Sequence, residues 1–133
     1  MSRLEVARRF HEAYRDGDVP GFLACLAPGW VVHEADGDDS SIDDLVEITR
    51  LHAGAFKITL EFIHELEEDD SIAQFVRYRF IHTGRYLELE PTGRSVDFSE
   101  MIFHRFAGDQ IAESWRLTYP LGLTAALMAP DAV

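Results

Sequence analysis

Two stretches hold acid–base residues beside apolar ones. "VVHEAD" sets His33 and Glu34 at the end of a short apolar run. "VDFSEMIFHRF" puts Glu100 and His104 on one face of a strand with Val96, Phe98, Ile102 and Phe106. An imidazole titrates near neutrality, and apolar surroundings raise a carboxylate toward it, so all four are candidate proton carriers. Burying Glu100 unpaired is costly, so it needs a partner or a raised pKa. A rim pair at 33–34 and a structural ion pair at 100–104 are the plain alternatives. "FVRYRFIHTG" alternates Arg77 and Arg79 with Tyr78 and His82. If the Tyr78 face looks into a pocket, Tyr78 and His82 become ligand contacts or acids, while Arg77 sits on a solvated or carboxylate-lined face. In "IAESWRLTY", Trp115 is core area or a pocket wall. Tyr119 can donate to a developing oxyanion, although a pKa near 10 makes it a poor base.

Other chemistries lack their residues. The six histidines are scattered, with no HExxH pair, no Gly-rich phosphate loop and no GxSxG elbow. Cys25 is the only cysteine, so no intramolecular disulfide forms, and its helical setting reads as a packed thiol. No metal and no cofactor are expected. The net charge of −12 repels phosphate backbones and anionic lipid, so neither nucleic acid nor a membrane surface is an expected partner. No run approaches the ~20 apolar residues of a membrane span, and a soluble cytoplasmic protein is the expectation.

The elements that must position these residues are readable from period and caps. Residues 1–133 fit one domain. Ser2 with Glu5 is a capping box for a helix that buries Leu4, Ala7, Phe10 and Tyr14 and stops at "DGD". Asp18 caps a second, short helix carrying Phe22, Leu23 and Leu26. "WVVHE" is a short strand. Ser41 with Asp44 caps a third helix through Leu45, Val46, Ile48, Thr49 and His52. The period then becomes two. "KITLEFIHEL" places Ile58, Leu60, Phe62, His64 and Leu66 on one face. "SIAQFVRYRFIH", "SVDFSEMIFHRF" and "IAESWRLTY" follow, joined by short turns, with Ile111, Glu113, Trp115, Leu117 and Tyr119 sharing a face of the last. "RYLELE" reads as a short strand or lip, and the tail is helical before Pro130. Helices followed by strands without βαβ alternation predict an α+β fold with a curved, mostly antiparallel sheet enclosing a pocket.

Several of these segments together resemble the SnoaL-like polyketide cyclases of the nuclear transport factor 2-like superfamily. Pro91-Thr92-Gly93-Arg94 matches the family's turn, Gly108-Asp109-Gln110-Ile111 follows its next turn loosely, and Glu113-Ser114-Trp115 resembles its Glu-His-Trp without the His. Val32-His33 and His82-Thr83-Gly84 resemble upstream segments, and Arg77 falls where an arginine is common. The resemblance implies a cone-shaped α+β barrel around an apolar cavity, a homodimer through the sheet, and cofactor-free aldol cyclisation. The family's acid/base Asp follows the Trp by four residues, and Tyr119 stands there. Two functions follow as expectations. One is a cyclase or isomerase acting on a small apolar carbonyl compound, with a base among His33, Glu34, Glu100 and His104, Tyr119 on the oxyanion, and Arg77, Tyr78, His82 and Trp115 as substrate contacts. Related ketosteroid isomerases add weight to Glu34. The other is a non-catalytic binding or interaction domain on the same fold. An epoxide hydrolase of the limonene type ranks behind both.

Overall fold

The computed structural model describes residues 1–119 and 123–128. Local chemistry starts the helices where the sequence places them. Helix α1 (Arg3–Asp16) opens on a complete capping box, with Ser2 Oγ accepting the Glu5 N–H at 3.1 Å and the Glu5 carboxylate accepting the Ser2 N–H at 3.3 Å. It ends on Gly17, whose φ of 68° is the left-handed conformation that glycine adopts without a Cβ penalty. Asp18 caps α2 (Val19–Ala24), and a second capping box, Ser41 with Asp44, opens α3 (Ile42–Ala55).

The strands are β1 (Val31–Glu34), β2 (Asp39–Ser41), β3 (Phe56–Glu68), β4 (Ser71–His82), β5 (Ser95–Ala107) and β6 (Gln110–Tyr119), with a final helix α4 (Leu123–Met128). They form one sheet in the order β2-β1-β6-β5-β4-β3, antiparallel except where β1 runs parallel to β6. Strand β2, in the acidic loop after "VVHE", has no apolar alternation to announce it. "RYLELE" contributes only a bridge between Tyr86 and Leu89. The result is a curled α+β sheet with helices on its inner face. Pro130 lies outside the described residues.

Two bulges decide which side chains reach that inner face. Phe62 pairs with Val76 but His64 with Phe75, so Ile63 is the extra residue. The face predicted to run from Ile58 to Leu66 therefore breaks at Phe62. His64 and Leu66 turn outward, and Glu65 turns inward opposite Gln74. In the same way Glu113 pairs with Arg105 but Ile111 with Phe106, leaving Ala112 as the extra residue. Ile111 is fully buried, whereas Glu113, Trp115, Leu117 and Tyr119 take the outer face. A period-two reading cannot see either break, because an extra residue exchanges the faces of everything beyond it.

The inner face closes on α1 through aromatic packing. Phe10 meets Phe22 at 5.0 Å and Trp30 at 5.9 Å between ring centroids, and all three are almost wholly buried. Burying a side chain of this size contributes roughly 1.5–3 kcal/mol, which makes the cluster the main anchor of α1. A second cluster, around Phe56, Tyr78, Phe80, Tyr86 and Phe98, surrounds the other end of the inner face. Among the described residues no helix is long and apolar enough to cross a membrane.

Candidate functional site

Between the helices and the inner face lies a cavity of about 230 Å³. Its walls are largely aromatic. Phe10 and Tyr14 come from α1, Phe22 from α2, Phe80 from β4 and Phe98 from β5, with Leu45 and Ile48 of α3 completing the apolar surface. Into it project His11, His52, Tyr78, Glu100, Arg116 and Thr118. Such a volume lies below the roughly 300–1,000 Å³ of drug-sized ligand sites. An occupant is therefore small and largely apolar, met by a few fixed polar groups.

Glu100 is the focus of those groups. It is 7% exposed, and burial raises its pKa. Arg116 works against that shift from 3.7 Å, but its guanidinium is already shared. The Glu34 carboxylate binds Arg116 through both Nε and the terminal nitrogen, at 3.1 Å and 3.2 Å from Nε. Two carboxylates thus compete for one buried cation. The one held only at 3.7 Å is the one that burial drives toward the protonated form. His11 Nδ1 lies 3.4 Å from Glu100 on the other side. Burial pushes His11 down to about 3, so the ring is neutral and the contact is not an ion pair.

Two tyrosine–histidine pairs flank this centre. Tyr78 OH lies 2.6 Å from His11 Nδ1, and Tyr14 OH lies 2.6 Å from His52 Nδ1. Burial raises both phenols and pushes His52 down to about 4. All four groups are thus uncharged hydrogen-bonding groups at neutral pH.

The residues singled out in the sequence divide three ways. Glu100 and Tyr78 line the cavity. Glu34 stands behind it and acts on it through Arg116. His104 is buried in the core, its Nδ1 2.6 Å from Ser114 Oγ, and burial holds its pKa well below the usual value. His82 is buried at the end of β4, where its Nδ1 accepts the Thr92 N–H at 3.1 Å, and it does not line the cavity. The third group faces away. His33 bridges Asp39 and Glu113 at 2.7 Å and 2.6 Å on the outer face, beside the Trp115 ring. Arg77 is exposed on the same face of the sheet. Tyr119 is 75% exposed, so the oxyanion role assigned to it has no access to the cavity. The Ala112 bulge is the physical reason, because it turns Thr118 inward and Tyr119 outward. Cys25 is a packed thiol: it is buried, and burial pushes it up to about 11.

His11, Tyr14, His52 and Arg116 complete the site without having been singled out for chemistry. Positions 7, 10, 11 and 14 form one helical stripe, and His11 is the polar member of it. That misfit was the available signal.

The family model for SnoaL-like polyketide cyclases matches residues 4–127. No curated protein sequence matches the chain. Among solved structures, AclR of Streptomyces galilaeus, a proposed hydroxylase, superposes with a TM-score of 0.84 at 22% identity, over 98% of this chain and 84% of that one. IdmH of Streptomyces antibioticus, a proposed polyketide cyclase, gives 0.79 at 19% identity, over 97% and 100%. A proposed SnoaL-like polyketide cyclase from Jannaschia sp. CCS1 gives 0.78 at 17% identity, over 97% and 93%. At these identities the likeness is one of fold.

Proposed function

The chain belongs to the SnoaL-like polyketide cyclase family, and from that premise we propose that it acts on a small apolar carbonyl compound by cofactor-free acid/base chemistry, as a cyclase or isomerase of the cytoplasm. The observation that carries this reading is Glu100, a carboxyl raised by burial at the wall of an aromatic cavity and facing a fixed cation. In the proposed reaction Glu100 takes a proton from the carbon α to a carbonyl. The resulting enolate oxygen is stabilised by Arg116, whose charge is held in place by Glu34 and costs no reorganisation during reaction. In a cyclisation the enolate carbon then bonds to a second carbonyl carbon, and the new alkoxide takes the proton back from Glu100. In an isomerisation the proton returns to a different carbon. Both routes leave Glu100 as it began.

The test is exchange of α-protons into deuterated water across a panel of small β-dicarbonyl compounds and cyclic ketones, followed by NMR. General acid–base catalysis contributes about 10²–10⁴-fold, so Glu100→Gln should slow exchange at least about a hundredfold. Binding without exchange would instead favour a ligand-binding domain on this fold. Exchange at an unchanged rate in Glu100→Gln would remove Glu100 from the mechanism.

The outer face supports a second part of the reading, a homodimer through the sheet. Met101, Phe103, Trp115, Leu117 and Leu66 are all exposed there, and a groove of about 490 Å³ runs among them. A monomer rarely leaves so many large apolar side chains together. Sedimentation equilibrium should give twice the chain mass, and Trp115→Glu should return it to the monomer. A monomeric wild type would end this part of the proposal.

A further inference from the structure

Gln74 and Glu65 do not line the cavity, yet they meet one of its polar groups from behind. Gln74 is 3% exposed on the inner face of β4. Its Nε2 donates to Glu65 Oε2 at 2.9 Å, and its Oε1 lies 3.1 Å from His11 Nε2. Arg8 holds Glu65 from the far side at 2.6 Å and keeps it below the usual carboxylate range. Glu65 is therefore ionised and can only accept hydrogen bonds.

That one constraint propagates. The amide end facing Glu65 must be the NH2, so the end facing His11 is the carbonyl. A carbonyl also only accepts, so His11 Nε2 must carry a proton. A neutral imidazole has a single N–H, which leaves Nδ1 as a bare lone pair. Tyr78 OH, 2.6 Å away, must then donate to it.

We propose that Glu65 and Gln74 are a positioning pair that fixes His11 as its Nε2–H tautomer, so that an acceptor nitrogen faces Tyr78 and Glu100. The charged and titratable groups facing His11 are Glu100 and His104 on β5, Tyr78 on β4, Glu65 on β3 and Arg116 on β6, with Arg8 on its own helix bound to Glu65. The opposite tautomer would aim an N–H at the Glu100 carboxylate and favour its charged form. The fixed tautomer withholds that donor and leaves Glu100 able to carry a proton. This meaning rests on the acid/base reading above, whereas the tautomer itself does not.

The test is long-range ¹⁵N–¹H correlation NMR of the labelled full chain at neutral pH, with His11 assigned by the signal lost in His11→Asn. In the wild type, Nε2 should resonate as a protonated nitrogen and Nδ1 as an unprotonated one. Gln74→Met, which keeps volume but removes the amide, should shift both resonances toward an average of the two tautomers. Glu65→Ala, which frees the amide to turn, should do the same and covers the case of a Gln74 variant that does not fold. A wild-type His11 protonated at Nδ1, or Gln74→Met and Glu65→Ala spectra unchanged from wild type, would overturn the proposal. Neither result requires turnover, so failure of the exchange assay and failure of this assignment are separate outcomes.

Discussion

Ser114 shows how much one small side chain can carry. It occupies the middle of Glu113-Ser114-Trp115, is fully buried, and faces the core. Its Oγ accepts the Trp30 indole N–H at 3.0 Å and bonds His104 Nδ1 at 2.6 Å. Ser114→Ala leaves two buried nitrogens without those partners. Each such loss costs about 1–3 kcal/mol, so the variant should lose roughly 2–6 kcal/mol. Urea unfolding should show a lower midpoint with an unchanged slope. A loss under about 0.5 kcal/mol would mean that water or a rearranged ring replaces the hydroxyl. Legibility at this scale follows from the same physics. Glu100 was readable because a carboxylate on an apolar strand face is an anomaly whatever surrounds it. His11 and His52 were not, because a polar residue in a helical stripe reads as packing until the opposing strands are known. Arg116 is not legible because its cost is hidden by Glu34, which is distant in sequence and adjacent only through the parallel β1–β6 pairing.

Among the elements, helix starts are local events and strand faces are not. Ser2 with Glu5, Asp18, and Ser41 with Asp44 each act within one turn of chain, and the structure places all three caps where the sequence reads them. A bulge depends on a partner strand. The extra residue at Ile63 is visible only once β3 is paired with β4, and the one at Ala112 only once β6 is paired with β5. Both have functional consequences. Without the first, Glu65 would face outward, away from Gln74. Without the second, Trp115 and Tyr119 would share a face with Ile111, and Arg116 would leave the cavity. Strand β5 carries no extra residue of its own, and its predicted face from Val96 to Phe106 stays intact, as does the β4 face from Val76 to His82.

At the scale of the whole molecule, burying neutral histidines sets the response to acid. His11 is pushed down to about 3, His52 to about 4, and His104 well below its usual value, all by burial. In the unfolded chain each titrates near 6.5. As pH falls below 6.5 the unfolded chain takes up protons that the folded one refuses, so stability falls with pH. Each such proton contributes a slope of about 1.4 kcal/mol per pH unit, and three give up to about 4. Glu100 opposes this by up to one proton, because its raised pKa stabilises the folded form below that pKa. His33 also opposes it. Its folded pKa is raised by Glu113 and Asp39, so its contribution is present below about 6.5 and lost as pH rises through the folded value, but it is half-exposed and screened. Relief of self-repulsion from a net charge of −12 acts in the same opposing direction. Glu65 and Asp97, held low by Arg8 and Arg79, lose their contribution only as pH falls through folded values below the usual carboxylate range. The histidines should therefore dominate between pH 6.5 and 5, before those carboxylates titrate. Urea unfolding should lose several kcal/mol over that interval, and His52→Gln should flatten the slope by about one proton. A slope untouched by His52→Gln would show that this ring takes up its proton in the folded state, and the uncharged Tyr14–His52 pair described for the cavity would have to be redrawn.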